Sequence, residues 1–337
     1  MQAWPILAAL LVFLPLWRIA SNAAQPAAPL FWGTLAILAT WIAGQDRWVG
    51  IVALYVVTRG FLTRAELSFE TTFAVLAGLL LLVTAQRVPM RVRSWLTSPA
   101  VASGILQIAY SAFQWWLLPP VRAWIAGSIG NPVYMGSYLA IAGAVAPGWL
   151  LPIFIGGVIL SRSVGAAVAL AVALAVRYRR VGWRPVLFIL PLIVLTGWHR
   201  SLSPSGITDS LLKRLVIWGM AMSDLGRSVL GVLIGYGPGA WLRRFPSIQE
   251  KAQFALSEIH GQAHNEFVQL VYEGGIALLV LMAVWVWSRR RTLAGSPALP
   301  GVVAAGVSSL TMFPFQIAAT AVLALTLLGF ATQENVK

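Results

Sequence analysis

The chain reads as an all-α polytopic membrane protein, with about twelve transmembrane helices and one long extracytoplasmic loop. Three observations lead there. Hydrophobic residues fill 59% of the 337 positions and charged residues only 10%. A soluble domain carries about 25% charged residues, so this chain has too little polar surface to face water. Its mean hydropathy is +0.80. Long apolar runs are broken by short basic clusters or by Gly, Pro and Asn, the pattern of successive membrane helices. Composition excludes a disordered chain, a coiled coil, a collagen and a soluble α/β enzyme, and the runs show no β-barrel alternation.

The apolar runs fall near 3–20, 29–44, 48–60, 71–86, 99–118, 133–147, 149–160, 164–177, 184–199, 266–288, 299–312 and 315–331. Several are shorter than the ~20 residues that span a bilayer. The runs at 133–160 and 299–331 are interrupted only by Pro147-Gly148 and Pro314. The first run has no Lys or Arg before it, so Ser21-Asn22-Ala23-Ala24-Gln25 is read as a loop after a retained helix rather than a cleavage site. Three parts follow: helices one to nine in 1–199, the long loop in 200–265, and helices ten to twelve in 266–337.

A net charge of +14 from 21 Arg and 3 Lys invites a nucleic-acid partner, but these residues sit at the ends of apolar runs, as topology signals do. With a cytoplasmic N-terminus, 12 of the 24 basic residues face the cytoplasm, among them Arg47, Arg87, Arg93, Arg177, Arg179 and Arg289. The opposite short loops hold 5, namely Arg18, Arg59, Arg64, Arg122 and Arg162, and the long loop holds the other seven. No nucleic acid is expected, and membrane lipids are the expected surroundings. The absence of cysteine removes disulfides, thiolate nucleophiles and Cys-ligated metals.

Only the 200–265 connection is long enough to carry its own structure, and loops of that length are usually functional. Ser201 to Gly206 has turn chemistry. Thr208-Asp209-Ser210 can cap a helix running to about Val229. Leu211, Leu212, Leu215, Trp218 and Met222 form an apolar stripe on it, with Lys213 and Arg227 off the stripe. This describes an amphipathic helix at the outer membrane interface. Gly235-Tyr236-Gly237-Pro238-Gly239-Ala240 formally fits a dinucleotide fingerprint, but no strand precedes it. It is read as a tight turn where backbone passes close to a helix or a substrate. After the loop, Asn265, Gln269 and Glu273 recur every four residues on one helix face. A carboxylate and two amides on a membrane helix should face the bundle or a wet cavity.

His264-Asn265-x-x-x-Gln269-x-x-x-Glu273-x-Gly275 resembles the H-N-x-x-x-Q-x-x-x-E-x-G element of the O-antigen ligase superfamily, which joins O-antigen ligases, O-antigen polymerases and pilin O-oligosaccharyltransferases. Three more elements resemble the family's in its own order. They are Gly130-Asn131-Pro132-x-x-x-Gly136, with Val133 in place of the usual Asn, then Ser161-Arg162-Ser163-x-Gly165-Ala166, then Arg214-x-x-x-Trp218 followed by Gly235-x-Gly237-x-Gly239. The resemblance covers residues 130–275.

It implies a GT-C-like glycosyltransferase in the bacterial inner membrane, moving a glycan from undecaprenyl pyrophosphate to an acceptor hydroxyl at the periplasmic face. The acceptor would be lipid A core, another glycan or a protein. A departing pyrophosphate needs its negative charge stabilised, and arginine binds phosphate oxygens bidentately; Arg162 and Arg214 are the candidates. His264, able to take a proton near neutral pH, is the candidate base, with Glu266 or Glu273 available to orient it. Asn131, Trp218, Asn265, Gln269 and Glu273 are supporting residues. No pair among the ten acids has metal-site spacing, so metal-independent, inverting transfer without a cofactor is expected.

Each residue also has a plainer reading. Arg162 fits a helix anchor and Arg214 a charge facing headgroups. His264 fits a polar helix start, and Asn265 a cap. His260 reads as a bystander and His199 as an interface residue. A transporter or flippase for a lipid-linked sugar is the rival from another class, but it needs charges along a path through both leaflets. Here the polar residues gather on one side.

Overall fold

The computed structural model describes residues 28–63, 66–117, 127–179, 192–197, 207–251 and 261–333. The expected helix at 3–20, the 21–25 stretch, most of the run at 184–199, the 201–206 turn, His199, Glu258 and His260 lie outside those residues, as do Arg18, Arg64 and Arg122.

Every regular element among the described residues is helical. The first four helices are α1 (Ala28–Gln45), α2 (Arg47–Thr63), α3 (Glu66–Ala85) and α4 (Met90–Leu117). Then come α5 (Pro132–Val145), α6 (Leu151–Leu160) and α7 (Val164–Arg177). The long connection forms α8 (Ile207–Leu225), α9 (Val229–Ile234) and α10 (Ala240–Lys251). The chain continues through α11 (Glu266–Ser288), α12 (Arg290–Gly295), α13 (Leu299–Ser308) and α14 (Ala318–Thr332).

The core is built around α5. Its start is set locally: Gly130 takes φ +80°, Asn131 accepts a hydrogen bond from Val133 N at 2.9 Å, and Pro132 occupies the first turn, where its missing N–H is no loss. Met135, Leu139, Ile141 and Ala142 have no exposed surface, as befits a helix that is apolar all round. α7 is rich in alanine, and Ala166, Ala167, Ala169 and Ala173 are fully buried. These small side chains let α7 pack closely on α5 and α13.

A polar stitch closes one end of the bundle. Asp46, between α1 and α2, accepts from the N–H groups of Trp48 and Val49. The same carboxylate accepts from Arg289 at 2.9 Å and from Gln86 at 3.3 Å, and Gln86 also donates to Thr332. Nearby arginines donate to carbonyls at helix ends: Arg177 to Ala144 and Ala146, Arg93 to Phe330 and Arg179 to Ala294. The last turn of a helix leaves such carbonyls unsatisfied and carries partial negative charge.

The expectation of about twelve transmembrane helices is overturned. Among the described residues only α11, 23 residues long, is both long and apolar enough to cross a membrane. The other apolar helical stretches have 10–17 residues. At about 1.5 Å per residue, the 14 residues of α5 rise about 21 Å, short of a hydrocarbon layer of about 30 Å. The apolar runs among the described residues coincide with helices, but the breaks between them, at Pro147-Gly148 and around Pro314, leave pieces too short to span.

The long connection carries α8, which already includes Thr208, Asp209 and Ser210, expected to cap it, and ends at Leu225 rather than near Val229. Its buried face is Ile217, Ala221 and Leu225, packed with Trp241, Phe245 and Tyr272. Leu212 and Leu215 of the expected stripe are exposed.

The Asp46–Arg289 pair is nearly enclosed, with side chains 2% and 16% exposed. Arg289→Met should lower stability by about 3 kcal/mol, because it leaves a buried carboxylate uncompensated. Adding Asp46→Asn should restore most of that loss, as chemical denaturation of the two variants would show.

Candidate functional site

At the other end of the bundle the motif residues meet around the non-helical stretch between α13 and α14. Three consecutive carbonyls of that stretch accept hydrogen bonds from three different sources. Ser309 O accepts from Glu266 N at 2.9 Å, Leu310 O from Asn265 Nδ2 at 3.0 Å, and Thr311 O from Arg214 Nη1 at 2.7 Å. Further along, Phe315 N and Gln316 Nε2 donate to the Glu266 carboxylate at 2.9 and 3.1 Å. The side chains add two contacts. Gly165 lies so close to Thr311 that a Cβ there would overlap its hydroxyl. Phe313 packs edge-on against both His264 and Tyr134, with ring centroids 5.1 Å apart in each case.

Arg162 and His264 share a backbone anomaly. Among the described residues they are the non-glycines with positive φ, both at 54°. For an L-residue that region costs about 1–2 kcal/mol, and such strain gathers at functional sites when the surroundings hold it in place. Arg162 sits in the turn between α6 and α7, where Ser163 caps α7 by accepting from Ala166 N. Gly136 of α5 faces Ser161 and Ser163 with no room for a Cβ. The Gly130–Gly136 and Ser161–Gly165 elements are thereby brought side by side.

His264 is held from both directions. Before it, Ala263 O accepts from Trp218 Nε1 at 2.7 Å and Ala263 N donates to Gln269 Oε1 at 3.2 Å. After it, Asn265 caps α11 by accepting from Phe267 N and Val268 N at 2.9 and 3.1 Å. Trp218 and Gln269 therefore fix the chain leading into the histidine, and Asn265 joins α11 to the 309–317 stretch.

The two acids considered as partners for His264 have structural work. Glu266 ties down Phe315 and Gln316. Glu273 accepts from Gly239 N and Trp241 N, each at 3.2 Å, and from Gln269 Nε2 at 3.4 Å, so its carboxylate closes the start of α10.

The glycine-rich turn passes close to a helix, and that helix is α11. Tyr236 N donates to Tyr272 O and Gly237 N to Glu273 O, at 3.0 and 2.8 Å. Gly275 breaks α11 with φ +67° and ψ −176°, and a Cβ on it would overlap Leu233 O. From α2, Arg59 donates to Ile234 O and Gly235 O at 3.1 and 2.7 Å, and Tyr55 donates to Gly274 O at 2.6 Å. Asp224 completes this region, accepting from Tyr272 at 2.9 Å and from Arg244 at 3.3 Å. Burial works against the Arg244 charge, but the Asp224 hydrogen bond prevails and its pKa is raised.

Sequence reasoning singled out Asn131, Arg162, Arg214, Trp218, His264, Asn265, Gln269 and Glu273, and the structure draws them toward this end. It missed Thr311, Phe313, Tyr134, Arg59 and Tyr55. A visible signal was the polar Ser308-Ser309 and the Phe313-Pro314-Phe315-Gln316 break inside an otherwise apolar run. No protein-family model matches the chain, and no curated protein does.

Glycine occupies positive φ without penalty but carries an entropic cost of about 0.5–1 kcal/mol. Arg162→Gly should therefore leave stability unchanged or raise it by up to about 1 kcal/mol. A clear loss in thermal unfolding would make Arg162 a structural residue.

Proposed function

We propose that the chain is a membrane glycosyltransferase of the O-antigen ligase type, seated in the bacterial inner membrane with its site facing the periplasm. The observation that carries the reading is the convergence on one stretch of backbone. Gly165 at the start of α7, three residues after Arg162, the guanidinium of Arg214 and the ring of His264 come from three separate parts of the chain and all reach residues 311–313.

In this reading the acceptor hydroxyl attacks the anomeric carbon of the glycan, and the bond from that carbon to the pyrophosphate oxygen breaks. The hydroxyl proton passes to His264, and undecaprenyl pyrophosphate leaves as an anion held by Arg162 and Arg214. A single displacement inverts the anomeric centre. The strained backbone at Arg162 and His264 supports this assignment, because it aims two side chains that the fold could otherwise place at less cost. The arginines supply the charge that a divalent metal supplies elsewhere, so the transfer proceeds without one.

Arg162→Ala and Arg214→Ala should fold yet lose turnover of an undecaprenyl-pyrophosphate glycan, and Lys at either site should rescue only in part because it lacks the bidentate fork. Full turnover by both Ala variants would remove the pyrophosphate assignment.

His264→Ala should lose about 10²–10⁴-fold in rate while donor binding persists. His264→Gln, which can hold a hydrogen bond but cannot take the proton, should behave the same way. Near wild-type rates for the Gln variant would make His264 a positioning residue. Wild-type transfer should survive EDTA; collapse with chelator and recovery with Mg²⁺ would reject the arginine model.

A further inference from the structure

The segment between Arg227 and Arg243 has the wrong surface for a loop in water. Its fifteen residues, 228–242, contain no charge and are bounded by Arg227 on one side and Arg243-Arg244 on the other. Four of its apolar side chains point outward: Val229 is 78% exposed, Leu230 64%, Leu233 51% and Leu242 47%. The polar backbone of the turn faces inward. Gly235, Gly237, Pro238, Gly239, Ala240 and Trp241 are buried, and protein groups answer their backbone. Tyr272 O and Glu273 O accept the N–H groups of Tyr236 and Gly237, and the Glu273 carboxylate accepts those of Gly239 and Trp241. Arg59 covers the carbonyls of Ile234 and Gly235, and Arg243 donates to that of Tyr236.

These contacts also set a depth. Leu233 and Gly235 meet α11 at Gly275, nine residues past its first residue, Glu266, or about 13 Å along the helix axis. If α11 crosses a bilayer, that level is inside the hydrocarbon layer. Irregular backbone survives there only where protein satisfies its polar groups, and that is the arrangement around Gly235–Trp241. The outward residues of the segment continue the apolar surface of α11, where Ile276 is 43% and Val280 51% exposed.

We propose that residues 228–242 form a re-entrant hairpin. It enters the bilayer beside α11, turns at Leu233–Gly235 and returns to the same side, with Leu230 and Leu233 against lipid acyl chains. Arg227 marks one mouth at the anionic headgroup level, and Arg243 and Arg244 close the other against Tyr236 O and Asp224. Arg59 and Tyr55 of α2 supply the donors that make the turn tolerable within the layer. The proposal rests on α11 spanning the membrane, not on the glycosyl transfer.

The chain has no cysteine, so single-cysteine variants label cleanly. The test places a bimane label at Leu233→Cys, Ile276→Cys or Ser247→Cys in the full chain, reconstituted in phosphatidylcholine–phosphatidylglycerol vesicles containing lipids with a mid-chain nitroxide. The expected result is that Leu233 and Ile276 labels dim by a similar factor, about two-fold or more, while the Ser247 label is little changed and reacts with aqueous iodide. Quenching at Ile276 without quenching at Leu233 would overturn the hairpin and leave α11 in place. No quenching at either position would overturn the spanning of α11 and the hairpin with it. In a second arm, Arg59→Met should loosen the turn, so that a Leu233→Cys thiol in that background reacts with an impermeant maleimide several-fold faster than in the Arg59 parent. Equal reaction would mean that Arg59 does not support the turn.

Discussion

The carbonyls of Ser309, Leu310 and Thr311 are the constraint on which this end of the molecule depends. Three adjacent peptide groups outside any helix have no intrahelical partners, and burial makes unpaired carbonyls expensive. Here two elements answer the three: α11, through its first N–H and the side chain of its cap, and α8, through a guanidinium. Satisfying that one short stretch therefore sets the height of α11, the direction of Asn265 and the reach of Arg214 together. The ring of Phe313, two residues on, then places Tyr134 and His264 on a common neighbour.

The motif residues divide by role. Asn131, Asn265 and Ser163 are helix caps, and each accepts one or two N–H groups that a helix start leaves open. Trp218, Gln269 and Glu273 hold backbone beside the site rather than inside it. Arg162 and His264 differ from these, since each takes a backbone conformation its residue type disfavours and neither is needed there as a cap. A short polar signature in a sequence can thus consist mostly of the frame that keeps two residues of strained backbone in position.

Much of the helical layout was legible in the sequence because it is local. The run expected at 164–177 is α7, that at 266–288 is α11, and that at 133–147 is α5 shifted by one or two residues. Apolar runs and their Gly, Pro and Asn breaks decide where helices start and stop. Whether a helix can cross a bilayer depends on its uninterrupted length, and there the same runs misled. The inward face of α8 was not legible for another reason. Ile217, Ala221 and Leu225 are as apolar as Leu212 and Leu215, so composition cannot choose the face, and the choice falls to Trp241, Phe245 and Tyr272 far along the chain. The 309–317 stretch went unread because its partners at 134, 165, 214 and 264–266 are all remote in sequence.

The stitch at the far end has a consequence for how the molecule is made. Asp46 leaves the ribosome well before its partner Arg289, which lies 243 residues later, and Gln86 shares itself with Thr332, 246 residues away from it. Until those late segments appear, a buried carboxylate between the first two helices has no counter-charge. The helices around Asp46 cannot close this contact until Arg289 and Thr332 have been made. The same later stretch of chain supplies the carbonyls that seat α11, so both ends of the bundle draw their final contacts from residues 289–332.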